Sequence, residues 1–166
     1  DAPDGARAVK YECNPIIIDG AMYLTSARHV VYALDAASGK IIWSFDPFDG
    51  KGGAIKRGVS YWESGEDGDC ERRIIAPVLD GRLVALDART GKVCPDFGTE
   101  GVIDFNADYP RLGEGVVNVT SPPVIFRDLA IVGTAIGDNQ TVDMPDGVVR
   151  AWENSFWPES KPYPGN

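Results

Sequence analysis

The sequence predicts an all-β fold, a partial β-propeller of about two to three four-stranded antiparallel blades. The first observation is a repeated sequence motif. Residues 31–40 (VYALDAASGK) are similar to residues 83–92 (LVALDARTGK), and each copy follows an apolar run and an Asp-Gly turn. A weaker third copy spans residues 123–152. The second observation is that short apolar runs alternate with turn residues, without helical periodicity. Repeats of this length made of strands and turns are typical of propellers and solenoids.

The first unit, residues 11–47, contains the pattern of one complete blade. Strands are predicted at residues 14–18 and 21–25 around the turn Asp19-Gly20, because Asp-Gly is a favoured hairpin turn. A third strand is predicted at residues 29–34, and a fourth at residues 41–45 after the turn at residues 36–39. Four short strands in sequence make one propeller blade.

The second unit, residues 57–95, repeats this scheme with strands predicted at residues 58–62, 73–78 and 83–87. Its last strand is degraded and is predicted near Val93. The stretch that follows, residues 96–114, is rich in Gly, Asp and Pro and is interpreted as a connecting excursion.

The third unit, residues 116–154, is predicted to hold strands at residues 116–119, 123–126 and 129–133, then a polar loop at residues 137–147. The tail at residues 155–166 has no clear regular element. A blade buries both faces of its sheet only between neighbours. We therefore expect the chain to be a fragment of a longer propeller, or to assemble with a partner that closes it.

Composition excludes some classes of function. The 166 residues carry a formal net charge of −9, and such a surface repels phosphate backbones, so nucleic-acid binding is not expected. No apolar stretch approaches the roughly 20 residues that span a bilayer. The one histidine, His29, is expected to be a half-buried strand residue, which leaves little for a hydrolase triad or a multi-histidine metal site.

The three cysteines, Cys13, Cys70 and Cys94, match no zinc-binding spacing. Cys70 and Cys94 flank a predicted hairpin, so a disulfide between them is plausible in an oxidising compartment. Separate free thiols are an equal alternative at this point.

Residues 33–43, ALDAASGKIIW, resemble the tryptophan-docking motif of pyrroloquinoline quinone (PQQ)-dependent dehydrogenases, the quinoproteins. Further segments match in the order in which the family has them: 12–15 (ECNP), 56–62 (KRGVSYW), 120–123 (TSPP) and 133–139 (GTAIGDN). The docking motif also occurs in non-enzymatic propellers, whereas the second and third of these segments are more selective for the dehydrogenases. The resemblance implies an N-terminal portion of an eight-bladed propeller, in which the tryptophan of one blade packs against the turn of the next.

The resemblance also implies a cofactor site. PQQ is a flat quinone with three carboxylates, so its rim needs cations and hydroxyl donors. The matching positions are Glu12, Arg57, Thr120 and Gly137, with Arg57 supplying a bidentate fork for a carboxylate. The adjacent residues Asp138 and Asn139 match the metal-associated pair of the family. The metal would be Ca²⁺ or Mg²⁺, which prefers oxygen ligands and polarises the quinone carbonyl.

Each of these residues also has a structural interpretation. Arg57 at the start of a strand could pair with a surface carboxylate, and Asp138-Asn139 is a common turn former. Family features are missing as well. Residues 53–56 (GAIK) stand where alcohol-oxidising members have a vicinal cysteine pair and glucose-oxidising members a histidine, and Cys94-Pro95 replaces the second docking tryptophan. No catalytic residue is assigned, since the family's general base lies in blades outside this chain.

The resulting hypothesis is a fragment of a quinoprotein dehydrogenase that oxidises a sugar or an alcohol, inactive alone. A quinone or cytochrome would accept the electrons, and membrane association would occur only through parts not present. Cys70 and Cys94 resemble a pair in the membrane-bound glucose dehydrogenase branch, which favours the disulfide and a periplasmic location.

Two alternatives stay open. A non-catalytic propeller scaffold or binding module would place Glu12, Arg57, Thr120 and Asp138 more than about 15 Å apart, too far for one small ligand. A carbohydrate-binding β domain would use the four tryptophans as stacking platforms: Trp43, Trp62, Trp152 and Trp157.

Overall fold

The computed structural model describes residues 11–49, 57–78, 81–108, 117–134 and 149–153. These residues form three antiparallel sheets, which we call blade 1, blade 2 and blade 3. Blade 1 comprises β1 (Ile16–Ile18), β2 (Ala21–Thr25), β3 (Val31–Asp35) and β4 (Ile41–Phe45). Blade 2 comprises β5 (Ser60–Glu63), β6 (Arg72–Val78), β7 (Arg82–Asp87) and β8 (Val102–Asp104). Blade 3 comprises β9 (Val124–Phe126), β10 (Leu129–Gly133) and β11 (Val149–Glu153). The predicted partial β-propeller is confirmed.

Blade 1 follows the predicted strand pattern, with one correction at His29. The strands pair in chain order, β1-β2-β3-β4. His29 lies before β3 and not within it, in a turn with φ of 67°. Its side chain is buried, and its ring meets Phe48 edge-on at 5.9 Å. The histidine is therefore buried in the connection between β2 and β3, against the Phe48 ring after β4.

The fourth strand of blade 2 is β8, so the prediction of a last strand near Val93 was wrong. Val93 makes only an isolated bridge to Leu86, and the chain then loops out before β8 pairs with β7. Gly98 and Gly101 adopt φ of 60° and 86°, which turns the chain back toward the sheet. The predicted excursion thus contains a strand, followed by a one-turn 3₁₀ helix at Phe105–Asp108.

The strand predicted at residues 116–119 is not found among the described residues of this segment. Residue 116 lies outside the described residues, and residues 117–119 are not assigned to a strand. Val117 and Val119 are nevertheless buried, and the Val117 N–H donates to Asn106 Oδ1 at 3.1 Å. The alternation in this segment reflects burial against blade 2.

Two apolar cores hold the blades together, one on each face of blade 2. The core toward blade 1 contains Tyr23, Val31, Ala33, Trp43, Val59, Ile74, Ala76, Val78, Val84, Leu86 and Ala88. The core toward blade 3 contains Trp62, Ile75, Leu83, Ala85, Cys94, Phe97, Ile103, Phe105, Val117, Val119, Ala130 and Val132. Strands β6 and β7 are buried on both faces, which is why their sequences are almost continuously apolar. The outward faces of blades 1 and 3 leave Ile17, Ile41, Val124 and Phe126 exposed.

The two copies of the repeated motif, residues 31–40 and 83–92, form the same turn. Asp35 Oδ1 accepts hydrogen bonds from the Ser38 N–H at 2.7 Å and its hydroxyl at 2.6 Å. Asp87 Oδ1 accepts from the N–H and hydroxyl of Thr90, both at 2.8 Å. Gly39 and Gly91 each have φ of 71°. The Asp-x-x-(Ser/Thr)-Gly spacing is therefore an Asp-capped turn that ends in a left-handed residue.

Trp43 docks on the second copy of this turn. Its indole Nε1–H donates to the Ala88 carbonyl at 2.9 Å, and the Tyr23 hydroxyl donates to the same oxygen at 3.1 Å. A Cβ on Gly91 would lie 2.7 Å from the Trp43 ring, so the indole lies directly on the glycine. This contact between blades 1 and 2 is the tryptophan docking that the resemblance implied.

Cys70 and Cys94 form a disulfide with a Cα–Cα distance of 5.6 Å, while Cys13 is a free thiol. The bond ties the loop between β5 and β6 to the segment after β7. It therefore closes blade 2 on the side that faces blade 3. Throughout the part of the chain that the structure describes, no helix is long and apolar enough to cross a membrane.

Candidate functional site

The segments that lead into the first strand of each blade meet at one place. The Asn14 N–H donates to the Arg57 carbonyl at 3.1 Å, and the Arg57 N–H donates to the Thr120 carbonyl at 3.0 Å. Asn14 and Gly58 form a parallel bridge. The backbones before β1, β5 and β9 are thereby linked side by side, and side chains from all three project into one locality.

Arg57 is the centre of this site. Its Nε lies 3.2 Å from Glu12 Oε2, and its Nη1 donates to Thr120 Oγ1 at 2.7 Å. The structure therefore brings together the three described residues that the sequence predicted: Glu12, Arg57 and Thr120. The scaffold alternative expected Glu12, Arg57 and Thr120 to lie more than about 15 Å apart, and these two contacts argue against it.

Close backbone packing explains why this site forms. Gly58 has φ of 126°, and a Cβ there would lie 2.6 Å from the Asn14 carbonyl oxygen. Only glycine therefore lets the segment that carries Glu12 approach Arg57 this closely. The Ser60 hydroxyl donates to the Pro123 carbonyl, which ties β5 to the segment that carries Thr120. Asn14, Gly58 and Ser60 were not predicted as site residues, although the first two adjoin Glu12 and Arg57 in the matched motifs.

The electrostatics of the site suit a carboxylate ligand. The Arg57 side chain is 43% exposed, so its guanidinium is held in place yet remains accessible. Within the described part of the chain, the side-chain contacts of Arg57 occupy Nε and Nη1, and no acceptor contacts Nη2. The Nη2 group can therefore donate to a ligand oxygen. The Thr120 hydroxyl accepts from Arg57 and keeps its own proton to donate. Glu12 offsets the charge of Arg57, so an anion would be recognised here through hydrogen-bond geometry more than through net charge.

The Tyr11 phenol, next to Glu12 in the sequence, adds no negative charge to the site. Burial, followed by the neighbouring Cys13 thiol, raises the pKa of Tyr11 to about 12, so its phenol is neutral at neutral pH. The Cys13 Sγ accepts a hydrogen bond from the Thr25 N–H at 3.3 Å, which anchors the Glu12 segment to β2.

The remaining predicted site residues, Gly137, Asp138 and Asn139, lie outside the described residues. Within the described ranges, no group of three or more His, Cys, Asp or Glu side chains could hold a metal ion. The predicted metal pair and the contact at Gly137 stay predictions.

Comparisons with known proteins assign the chain to a family. Residues 1–155 match the family model described as "PQQ: Glucose/ethanol/alcohol dehydrogenase, beta-propeller domain". The chain belongs to this family. It is 35% identical over 162 residues to quinoprotein glucose dehydrogenase of Escherichia coli (strain K12), a match that covers 91% of this chain and 20% of that protein. Quinoprotein glucose dehydrogenase of Gluconobacter oxydans (strain 621H) is 38% identical over 157 residues, with 86% and 19% covered.

Solved structures of other quinoproteins have the same fold. Quinohemoprotein alcohol dehydrogenase from Comamonas testosteroni superposes with a TM-score of 0.67 at 25% identity, covering 88% of this chain and 20% of that chain. Quinohemoprotein alcohol dehydrogenase ADHIIG from Pseudomonas putida HK5 also gives 0.67, at 31% identity, covering 88% and 19%. The chain thus spans about a fifth of the length of the curated relatives and quinohemoprotein structures it matches.

Proposed function

We propose that this chain forms the part of a quinoprotein dehydrogenase that binds one carboxylate edge of PQQ, and that the complete protein oxidises a sugar or an alcohol. The observation that carries the proposal is the Arg57 guanidinium, held at Nε by Glu12 and at Nη1 by Thr120. Its Nη2 meets no acceptor among the described residues, and together with the second N–H of Nη1 it forms the edge that pairs with a carboxylate. The family membership supports PQQ as the ligand.

The residues present fit such a cofactor. A planar carboxylate pairs with a guanidinium fork through parallel hydrogen bonds, and lysine cannot reproduce this geometry. Two of the three Arg57 nitrogens are already fixed by protein contacts, so little side-chain entropy is lost when a ligand binds. When bound, PQQ supplies the oxidant that accepts hydride from the substrate carbon.

Within this arrangement each side chain has a separate task. Arg57 binds and orients the carboxylate, and the Thr120 hydroxyl donates a further hydrogen bond to the same rim. Glu12 holds Arg57 in position at Nε. By the family resemblance, Gly137 would contact the cofactor, and Asp138 and Asn139 would supply oxygen ligands to Ca²⁺ or Mg²⁺.

The proposed cellular setting follows from the disulfide and the family. The Cys70–Cys94 bond forms and persists in oxidising compartments, which supports a periplasmic location. The relatives include quinoprotein glucose dehydrogenases and a quinohemoprotein alcohol dehydrogenase, which supports a sugar or alcohol substrate and a quinone or cytochrome acceptor.

A titration of the chain with PQQ in the presence of Ca²⁺ tests the proposal. We expect saturable binding that Arg57→Lys weakens at least about tenfold, because one fork-to-carboxylate hydrogen bond is lost. The matched control is Arg72→Lys, since Arg72 is also partly exposed and ion-paired, 3.4 Å from Asp19. Equal losses for both variants would show a non-specific charge effect and would refute the proposed site.

The same sample tests whether the chain acts alone. We expect no oxidation of glucose or ethanol with an artificial electron acceptor, because the resemblance places the family's general base in blades outside this chain. Turnover by the isolated chain would contradict this part of the proposal, while leaving the Arg57 assignment intact.

A further inference from the structure

A buried arginine lies between the disulfide and the interface of blades 2 and 3. The Arg73 side chain is only 3% exposed. Its guanidinium carbon lies 4.9 Å from the ring centroid of Trp62, directly opposite across the β5–β6 pair. A buried guanidinium needs hydrogen-bonding partners to offset its desolvation.

Both partners of Arg73 are supplied by the segments that the disulfide joins. Its Nε donates to the Cys70 carbonyl at 2.6 Å, and its Nη2 pairs with the carboxylate of Asp96, two residues after Cys94. The Cys70 N–H in turn donates to Asp87 Oδ2 at 2.9 Å, with Cys70 at φ of 64°. The disulfide therefore holds two acceptors around one buried cation.

On its other side, Trp62 reaches blade 3. The Trp62 indole Nε1–H donates to Asp128 Oδ1 at 3.3 Å, in the turn between β9 and β10. The indole is 3% exposed and packs in the core shared by the two blades. A continuous chain of contacts thus runs from the disulfide through Arg73 and Trp62 to Asp128.

We propose that Arg73 is a positioning residue through which the Cys70–Cys94 disulfide controls the docking of blade 2 on blade 3. Reduction by a dithiol delivers two electrons and two protons, leaves two thiols and converts the dithiol to its own disulfide. The Cys70 carbonyl and Asp96 are then no longer held together, so Arg73 loses its fixed place over Trp62. The Trp62–Asp128 contact opens more often. This inference does not depend on PQQ binding.

Hydrogen exchange of the tryptophan indole N–H groups, followed by NMR, tests the proposal within one sample. Trp43 is the internal control, because its Nε1–H is also bonded across a blade interface, to Ala88 at 2.9 Å, but has no contact with Arg73. After reduction of the native chain we expect Trp62 exchange to rise at least about tenfold, the effect of losing one hydrogen bond to a charged group, with Trp43 changed much less.

Variants separate the role of Arg73 from that of the bond. Arg73→Met is expected to raise Trp62 exchange in the oxidised chain and to make it insensitive to reduction. Arg72→Met, the neighbouring arginine with an exposed side chain, leaves Trp62 exchange and its redox response unchanged. If Arg73→Met does not fold, Asp96→Ala removes the acceptor beside Cys94 and is expected to give the same loss of redox response. An unchanged Trp62 signal after reduction, or equal changes at Trp62 and Trp43, would overturn the proposal.

Discussion

The two repeated turns provide a matched pair of glycines that isolates the energy of tryptophan docking. Gly39 and Gly91 have the same φ of 71°, but a Cβ on Gly39 would meet nothing within 4 Å. A Cβ on Gly91 would lie 2.7 Å from the buried Trp43 ring. Alanine at either position incurs the left-handed backbone strain of roughly 1–2 kcal/mol. Only Gly91→Ala must also displace the indole.

The expected difference follows from this extra contact. Overpacking a buried ring costs about 1–3 kcal/mol, so Gly91→Ala should destabilise the chain by that much more than Gly39→Ala. With a urea m-value of about 2 kcal/mol/M, the midpoints of the two variants should differ by roughly 1 M. Urea unfolding followed by far-UV circular dichroism measures both midpoints.

A double-mutant cycle gives the control. In a Trp43→Ala background the ring is gone, so Gly91→Ala should cost no more than Gly39→Ala. Equal midpoints for the two glycine variants in the native background would refute the docking argument, because the indole would then contribute nothing at Gly91.

Two further predictions concern the site and the repeated turn. Gly58→Ala should lower the thermal midpoint of unfolding and weaken PQQ binding, because its Cβ would lie 2.6 Å from the Asn14 carbonyl oxygen. The control is Gly133→Ala, whose Cβ would lie in open space. Equal effects of the two substitutions would contradict the close approach at Gly58. Burial raises the pKa of Asp87, but hydrogen bonds from Cys70, Thr90 and Arg89 outweigh it and lower the pKa below its usual value. The stability from this carboxylate is therefore full above the unfolded-state pKa and is lost as pH falls through the folded pKa, so unfolding measured below about pH 4 should show a steeper loss for the native chain than for Asp87→Asn. Parallel acid profiles would contradict this assignment.

The strands of blade 1 and the first three of blade 2 were predictable because their signals are local. The Asp-capped turns at Asp35 and Asp87 use hydrogen bonds within a few residues, and the flanking strands alternate or are almost continuously apolar. Strand β8 was missed because it is three residues long and follows a glycine-rich loop. Of the strand predicted at residues 116–119, residues 117–119 are described and do not form a strand, because their alternation reports burial of Val117 and Val119, whereas strand pairing depends on a distant partner.

The candidate site was predictable only through the family resemblance. Glu12, Arg57 and Thr120 lie far apart in sequence, and nothing local indicates that three blade entrances converge. The disulfide was undecided from spacing alone, because pairing depends on where blade 2 places Cys70 and Cys94. The Arg73 cluster was missed for a similar reason: an arginine in a strand is usually exposed, and its burial here depends on distant acceptors.

Binding of a PQQ carboxylate by Arg57 can be observed directly through the Nε–Hε NMR signal of Arg57 during addition of PQQ. We expect a saturable shift at Arg57 that is absent from Arg72, whose side chain is equally exposed but pairs with Asp19 on the surface. A shift at both arginines, or at neither, would contradict the assignment of Arg57 as the carboxylate-binding residue.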